Sequence, residues 1–179
     1  VYGASDELER ISFGVEASIE LYNATGEQQY ADEAVALGDQ VLASQERKLQ
    51  PWSIPLTGYF YTSPKRENLF HRFHVGQEQE PIIALVRLCQ ALPNHDKWMK
   101  WYSAVVLHSQ YYLKAAAAVD EPYGVLPAAV YRDSEVRLIP ESKNWTPLRA
   151  ADRDAYMQEV HNGIPLGGEY YLRRFPVWF

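Results

Sequence analysis

Leu21-Tyr22-Asn23-Ala24-Thr25-Gly26-Glu27-Gln28-Gln29-Tyr30 is the stretch on which the fold turns. Gly26 takes the left-handed conformation that closes a last helical turn, so Thr25-Gly26 reads as a helix stop. Upstream of it, Leu8, Ile11, Val15, Ile19 and Tyr22 recur at steps of three and four, which puts one apolar stripe on a helix from about Ser5 to Ala24, capped by Ser5 or Asp6. Downstream, Tyr30, Ala34, Leu37 and Val41, widened by Val35 and Leu42, mark a second helix that fades between Ser44 and Lys48. Helices joined by so few residues pack antiparallel, because the loop reaches no other arrangement.

The same unit recurs further on. Ile82, Leu85, Leu88 and Leu92 form a third stripe, Pro93-Asn94-His95-Asp96 a turn, and Trp98, Trp101, Val105 and Tyr112 a fourth. Ala17-Ser18-Ile19-Glu20-Leu21 falls over Ala84-Leu85-Val86-Arg87-Leu88, a shift of 67 residues that stays in register to Ala24 over Ala91. The expectation is therefore an all-α chain of antiparallel helical hairpins at 5–48 and 78–118. A long connection covers 49–77, and a second long connection with a C-terminal segment covers 119–179, including a short helix from Ala151 to Val160. Both tight turns fall on one side of the hairpin layer, so both long connections emerge on the other; loops of that length in a compact protein usually carry function.

Composition removes several classes. With 47% apolar and 22% charged residues the chain is ordinary globular material. A net charge of −6 argues against binding nucleic acid, where clustered Lys and Arg must neutralise phosphates. No apolar run approaches the roughly 20 residues that cross a bilayer. Cys89, the one cysteine, reads as a small buried hydrophobe and excludes an internal disulfide. Asn23-Ala24-Thr25 and Asn144-Trp145-Thr146 match a glycosylation acceptor pattern that is too short to weigh much. Val1 in place of Met, and an end on Val177-Trp178-Phe179 with no polar tail, read as cuts in a longer chain.

At Asp6-Glu7-Leu8, at Tyr22 through Tyr30, and at Gly58-Tyr59-Phe60-Tyr61 through Glu80-Pro81-Ile82-Ile83-Ala84-Leu85, the chain resembles six-hairpin (α/α) toroid glycosidases, in particular family-nine glycoside hydrolases. The resemblance covers about the first two thirds of the chain. It implies an (α/α)6 toroid with its cleft on the long-loop side, of which this chain is a fragment. Twelve helices of roughly 12 to 20 residues with their loops need about twice this length. It also implies a secreted or cell-envelope protein that hydrolyses polysaccharide with two carboxylates, and the remainder of the ring as a partner. The family's Asp-Ala-Gly-Asp-like motif and its acidic Glu near the end of the domain are absent from this sequence. Those carboxylates therefore lie elsewhere, or the chemistry differs.

The densest polar cluster runs from Phe70-His71-Arg72-Phe73-His74 to Gln77-Glu78-Gln79-Glu80, where the long connection meets a helix start. Glu78 is the expected general acid or base and His71 its orienting partner. Arg72, His74 and Glu80 are expected to contact substrate. Trp52, Tyr59 and Tyr61 offer aromatic planes to the apolar C–H faces of pyranose rings. Against this, negative charge at Glu78 and Glu80 also suits a plain helix N-terminus, and the aromatic residues also suit loop packing. His71 and His74 lack the further ligands a metal site needs, so no metal or cofactor is expected. Trp98, Trp101 and Tyr112 lie on the stripe and belong to the core. Glu169 and Arg173 follow a Gly167-Gly168 bend and read as ligand contacts or as a solvated pair alike. Two other readings stand beside the hydrolase. One is a toroid lyase or sugar epimerase, in which His or Tyr removes a proton alpha to a carboxylate or carbonyl; the other is a helical-repeat interaction module without catalysis.

Overall fold

A computed structural model describes residues 7–70, 79–118, 129–132 and 164–173. The described residues are mostly helical. Helix α1 spans Glu7–Thr25 and α2 Gln28–Ala43, with Gly26 between them at φ 71° and its N–H donated to the Tyr22 carbonyl at 2.8 Å. Thr25 tightens the stop: its hydroxyl donates to Leu21 O at 2.8 Å and accepts from the Glu27 N–H. Leu8, Ile11, Val15 and Ile19 of α1 are buried against Ala34 and Val41 of α2. Ser12, also buried, satisfies its hydroxyl on the Leu8 carbonyl at 2.8 Å.

Helix α3 (Glu80–Ala91) and α4 (Trp98–Val106) make the second hairpin. Ala84, Leu85, Leu88, Trp101 and Ala104 complete one continuous apolar cluster with the first hairpin. The two hairpins lie side by side in the same sense. Glu80 is electrostatically coupled to Glu9 and Glu16, whereas Arg87 pairs with Glu20 at 3.5 Å, so α3 runs parallel to α1. Gly38 permits close approach at this junction, since a Cβ there would lie 2.4 Å from Leu88 Cδ1 and 3.6 Å from Trp101 Nε1. Lys97 also reaches Asp39 across the junction at 2.5 Å.

Beyond α4 the helix does not stop. It widens into a π-helical segment, Leu107–Leu113, and resumes as the short α5, Lys114–Ala117. Three short strands, β1 (Ala129–Arg132), β2 (Ile164–Gly167) and β3 (Tyr170–Arg173), form an antiparallel sheet of order β1-β3-β2. Sequence periodicity signalled no strand here. The Gly167-Gly168-Glu169 bend is the turn of the β2–β3 hairpin, with an irregularity in register between Pro165 and Gly167. The short helix expected at Ala151–Val160 lies outside the described residues.

The connection after α2 is ordered around an irregular ladder. Ser44–Glu46 pairs with 58–61 through Glu46 N→Tyr59 O, Gly58 N→Glu46 O and Tyr61 N→Ser44 O, each 2.8 Å. Residues 60–62 then pair with 68–70 through Phe70 N→Phe60 O and Thr62 N→Asn68 O. Thr62 O accepts the Leu8 N–H, satisfying a donor that the first turn of α1 leaves open. A second apolar cluster gathers under this connection: Leu56, Tyr59, Leu69, Tyr112, Ala116, Val130, Leu166 and Leu172.

Candidate functional site

Gly58 is the pivot of the site. At φ 92° it adopts a conformation that disfavours any side chain, and an added Cβ would stand 2.6 Å from the Leu107 carbonyl oxygen. The ladder can therefore lie directly on the first turn of the π segment. Gly58 O then accepts from two buried side chains, Gln45 Nε2 at 3.2 Å and His108 Nδ1 at 3.0 Å. A carbonyl only accepts, so Nδ1 of His108 carries a proton. Burial lowers the His108 pKa from the ordinary 6.5, opposed by the bond to Gly58, and the ring packs against Phe60 and Tyr112 at 5.6 and 5.1 Å between centroids. Gln45 also donates to Ala104 O at 2.9 Å, tying the ladder to α4, while its Oε1 is buried without a partner among the described residues.

One residue along, buried Glu46 organises the rim. Its Oε1 accepts the backbone N–H groups of Arg47 and Lys48, both at 2.9 Å, and its Oε2 accepts the Tyr61 hydroxyl at 3.0 Å. Arg66 approaches the same carboxylate at 3.8 Å and lies 5.5 Å over the Tyr61 ring. Arg66 is held at φ 59° while its Nε and Nη2 donate to the Ala43 and Gln45 carbonyls at 2.8 and 2.6 Å. It thus closes the C-terminal end of α2, where a cation is favoured by the helix dipole. Burial foremost pushes the Tyr61 phenol up to about 12; the bond from Tyr59 lowers it and the bond to Glu46 raises it. Burial raises Tyr59 further still, helped by Tyr61. Neither phenol is prepared to act as a phenolate base.

Beside this rim stands an aromatic wall. Trp52 stacks on Tyr59, with 5.7 Å between centroids and 17° between planes, and its ring meets Tyr170 of β3 at 4.8 Å. Tyr59 continues to Tyr61 and Tyr112 at 5.9 and 6.2 Å. Ser53 pins the loop to β2 through its N–H to Leu166 O at 2.7 Å and its hydroxyl to Pro165 O at 2.9 Å. Gly167 leaves room for the indole, since a Cβ there would be 3.3 Å from Trp52 Cδ1.

The residues expected from the sequence separate cleanly. Trp52 and Tyr61 are half-buried and share one wall. Tyr59 is corrected from a sugar platform to a backing ring, because it is 3% exposed and sits behind Trp52. Glu80 is half-buried at the start of α3, its pKa raised by burial and then by Glu16 and Glu9. Glu78, His71, Arg72 and His74 lie outside the described residues, as does the Arg173 side chain. Trp101 and Tyr112 are buried as the stripe required. Gln45, Glu46, Gly58, Arg66, His108 and Tyr170 escaped the sequence reading. The one signal for them was a Gln-Glu pair where an apolar stripe fades, followed by a Gly before an aromatic run. Among the described residues no group of three His, Cys, Asp or Glu side chains is placed to hold a metal ion, and no helix is long and apolar enough to cross a membrane.

No protein-family model, no curated protein and no solved structure matches the chain.

Proposed function

We propose that the chain is part of a carbohydrate-processing (α/α) toroid, a secreted or cell-envelope glycoside hydrolase that holds a polysaccharide against Trp52. The observation that carries this is the wall itself: a half-buried indole, with Tyr59 stacked on it and Tyr170 tilted against it, continued through Tyr59 to a half-buried Tyr61. A flat apolar plane next to a fixed polar group suits a pyranose, which offers C–H faces and hydroxyl edges together. The wall is built from the connection that follows the first hairpin, where long loops were expected to gather.

Hydrolysis requires a protonated carboxyl and a second carboxylate. Glu78 is the candidate for the acid/base role, and Glu80, whose pKa is raised by burial and then by Glu16 and Glu9, is a candidate substrate contact. Glu46 is committed to the rim and serves as a tether. The remainder of the ring supplies the further walls of the cleft.

Titrating the full chain with neutral and acidic hexasaccharides, followed by tryptophan fluorescence and by release of reducing ends, tests this reading. A saturable response that Trp52→Ala abolishes is expected. A response that survives Trp52→Ala, or none with any sugar, sinks it and leaves the interaction-module reading.

A further inference from the structure

The charge around the wall differs from the charge of the chain. The whole chain carries −6, yet residues 44–70 hold Arg47, Lys48, Lys65 and Arg66 against only Glu46 and Glu67. Glu46 is buried and spent on the Arg47 and Lys48 N–H groups, the Tyr61 hydroxyl and Arg66, so it presents no charge to solvent. Arg47, Lys48 and Lys65 are exposed and make no ion pair among the described residues. Two of them are tightly placed: their N–H groups sit on one oxygen of the carboxylate whose other oxygen holds Tyr61. Arg66 covers the Tyr61 ring, and Arg132 of β1 donates to the Glu67 carbonyl, bringing a further guanidinium toward the same segment. In an acidic protein, a basic rim beside an aromatic wall concentrates anions where a sugar ring would stack.

We infer that the wall takes an acidic polysaccharide, with a uronic-acid ring resting against the exposed side of the Trp52–Tyr61 wall and carboxylates of the polymer held by Arg47, Lys48 and Lys65. This rests on the carbohydrate reading above and specifies its substrate class. Exposed charges of this kind are individually weak and screened by salt, so their contribution is cumulative over the repeating carboxylates and depends on ionic strength.

Hexagalacturonate and its fully methyl-esterified form present the same sugar with and without charge. The full chain is expected to bind the acid form at least about tenfold more tightly at low salt, and the gap is expected to shrink at about 0.5 M NaCl, where the screening length is only a few ångströms. Arg47→Ala with Lys48→Ala should narrow the gap severalfold. Equal affinity for acid and ester overturns the charge inference and leaves the carbohydrate reading standing. Binding of neither overturns both. Equally tight binding of a single-stranded oligouridylate overturns it as well, because the basic rim would then be a general polyanion surface.

Discussion

A methyl group at Gly58 has nowhere to go: backbone on one side demands φ 92°, and the Leu107 carbonyl stands 2.6 Å from the Cβ position. Gly58→Ala is expected to lose about 2–4 kcal/mol in denaturant unfolding, combining left-handed strain with a clash that only backbone movement relieves. A loss below about 0.5 kcal/mol would mean that the ladder does not rest on the π segment. His108 gives stability a pH dependence. Its pKa is lowered in the fold from the ordinary 6.5, so on acidification the unfolded chain takes up a proton that the native state resists. The stability from burying a neutral ring is present above about pH 6.5 and is lost as the pH falls below it. His108→Gln, which keeps a donor for Gly58 O, should flatten the stability curve between about pH 7 and 5. An unchanged slope would remove His108 as its cause.

At the scale of elements, the hairpins stand on buried aliphatic residues and not on the ion pairs that cross them. Leu88 is fully buried against Gly38, whereas Arg87, one position away on α3, and its partner Glu20 on α1 retain 47% and 60% exposure of their side chains. Leu88→Ala should cost about 2–5 kcal/mol, while Glu20→Ala should change stability by less than about 0.5 kcal/mol. Thermal melts of the two variants side by side make the comparison. Both hairpins were legible in the sequence because helical periodicity is local: Leu8 to Tyr22 and Tyr30 to Val41 announce their faces within a few turns. The sheet was not, since β1 and β3 are four residues each and pair Ala129 with Arg173 across a long separation. The wall was half legible. Trp52 and Tyr61 stood out as loop aromatics, but whether Tyr59 faces solvent or Trp52 depends on a strand placed far along the chain.

For the whole molecule, the decisive fact is that one helical rod serves two cores. Trp101 and Ala104 belong to the cluster between the hairpins, Tyr112 and Ala116 to the cluster beneath the wall. Gln45 reinforces the coupling by holding Ala104 and Gly58 at once. The two clusters should therefore unfold together. Helical circular dichroism and tryptophan emission are expected to give coincident urea transitions, and Leu172→Ala, on the central strand under the second cluster, should shift both equally. Separate midpoints would show that the wall is a dispensable annex.

The π segment gives this rod a property that an unbroken α-helix would not have. Each residue advances an α-helix by about 100°, so a single residue accommodated in a wide turn rotates everything after it by roughly that angle relative to everything before. Trp101 and Tyr112 can thus serve clusters on different bearings of one rod. The protein's two cores are phased by an insertion, and a deletion is the mutation to which that phasing is most vulnerable. Removing Gln110 would improve the hydrogen bonding of the helix taken alone, while swinging Tyr112 and Ala116 away from Leu56 and Leu172. For this segment a better helix makes a worse protein, and tolerance of side-chain change there should coexist with intolerance of any change in length.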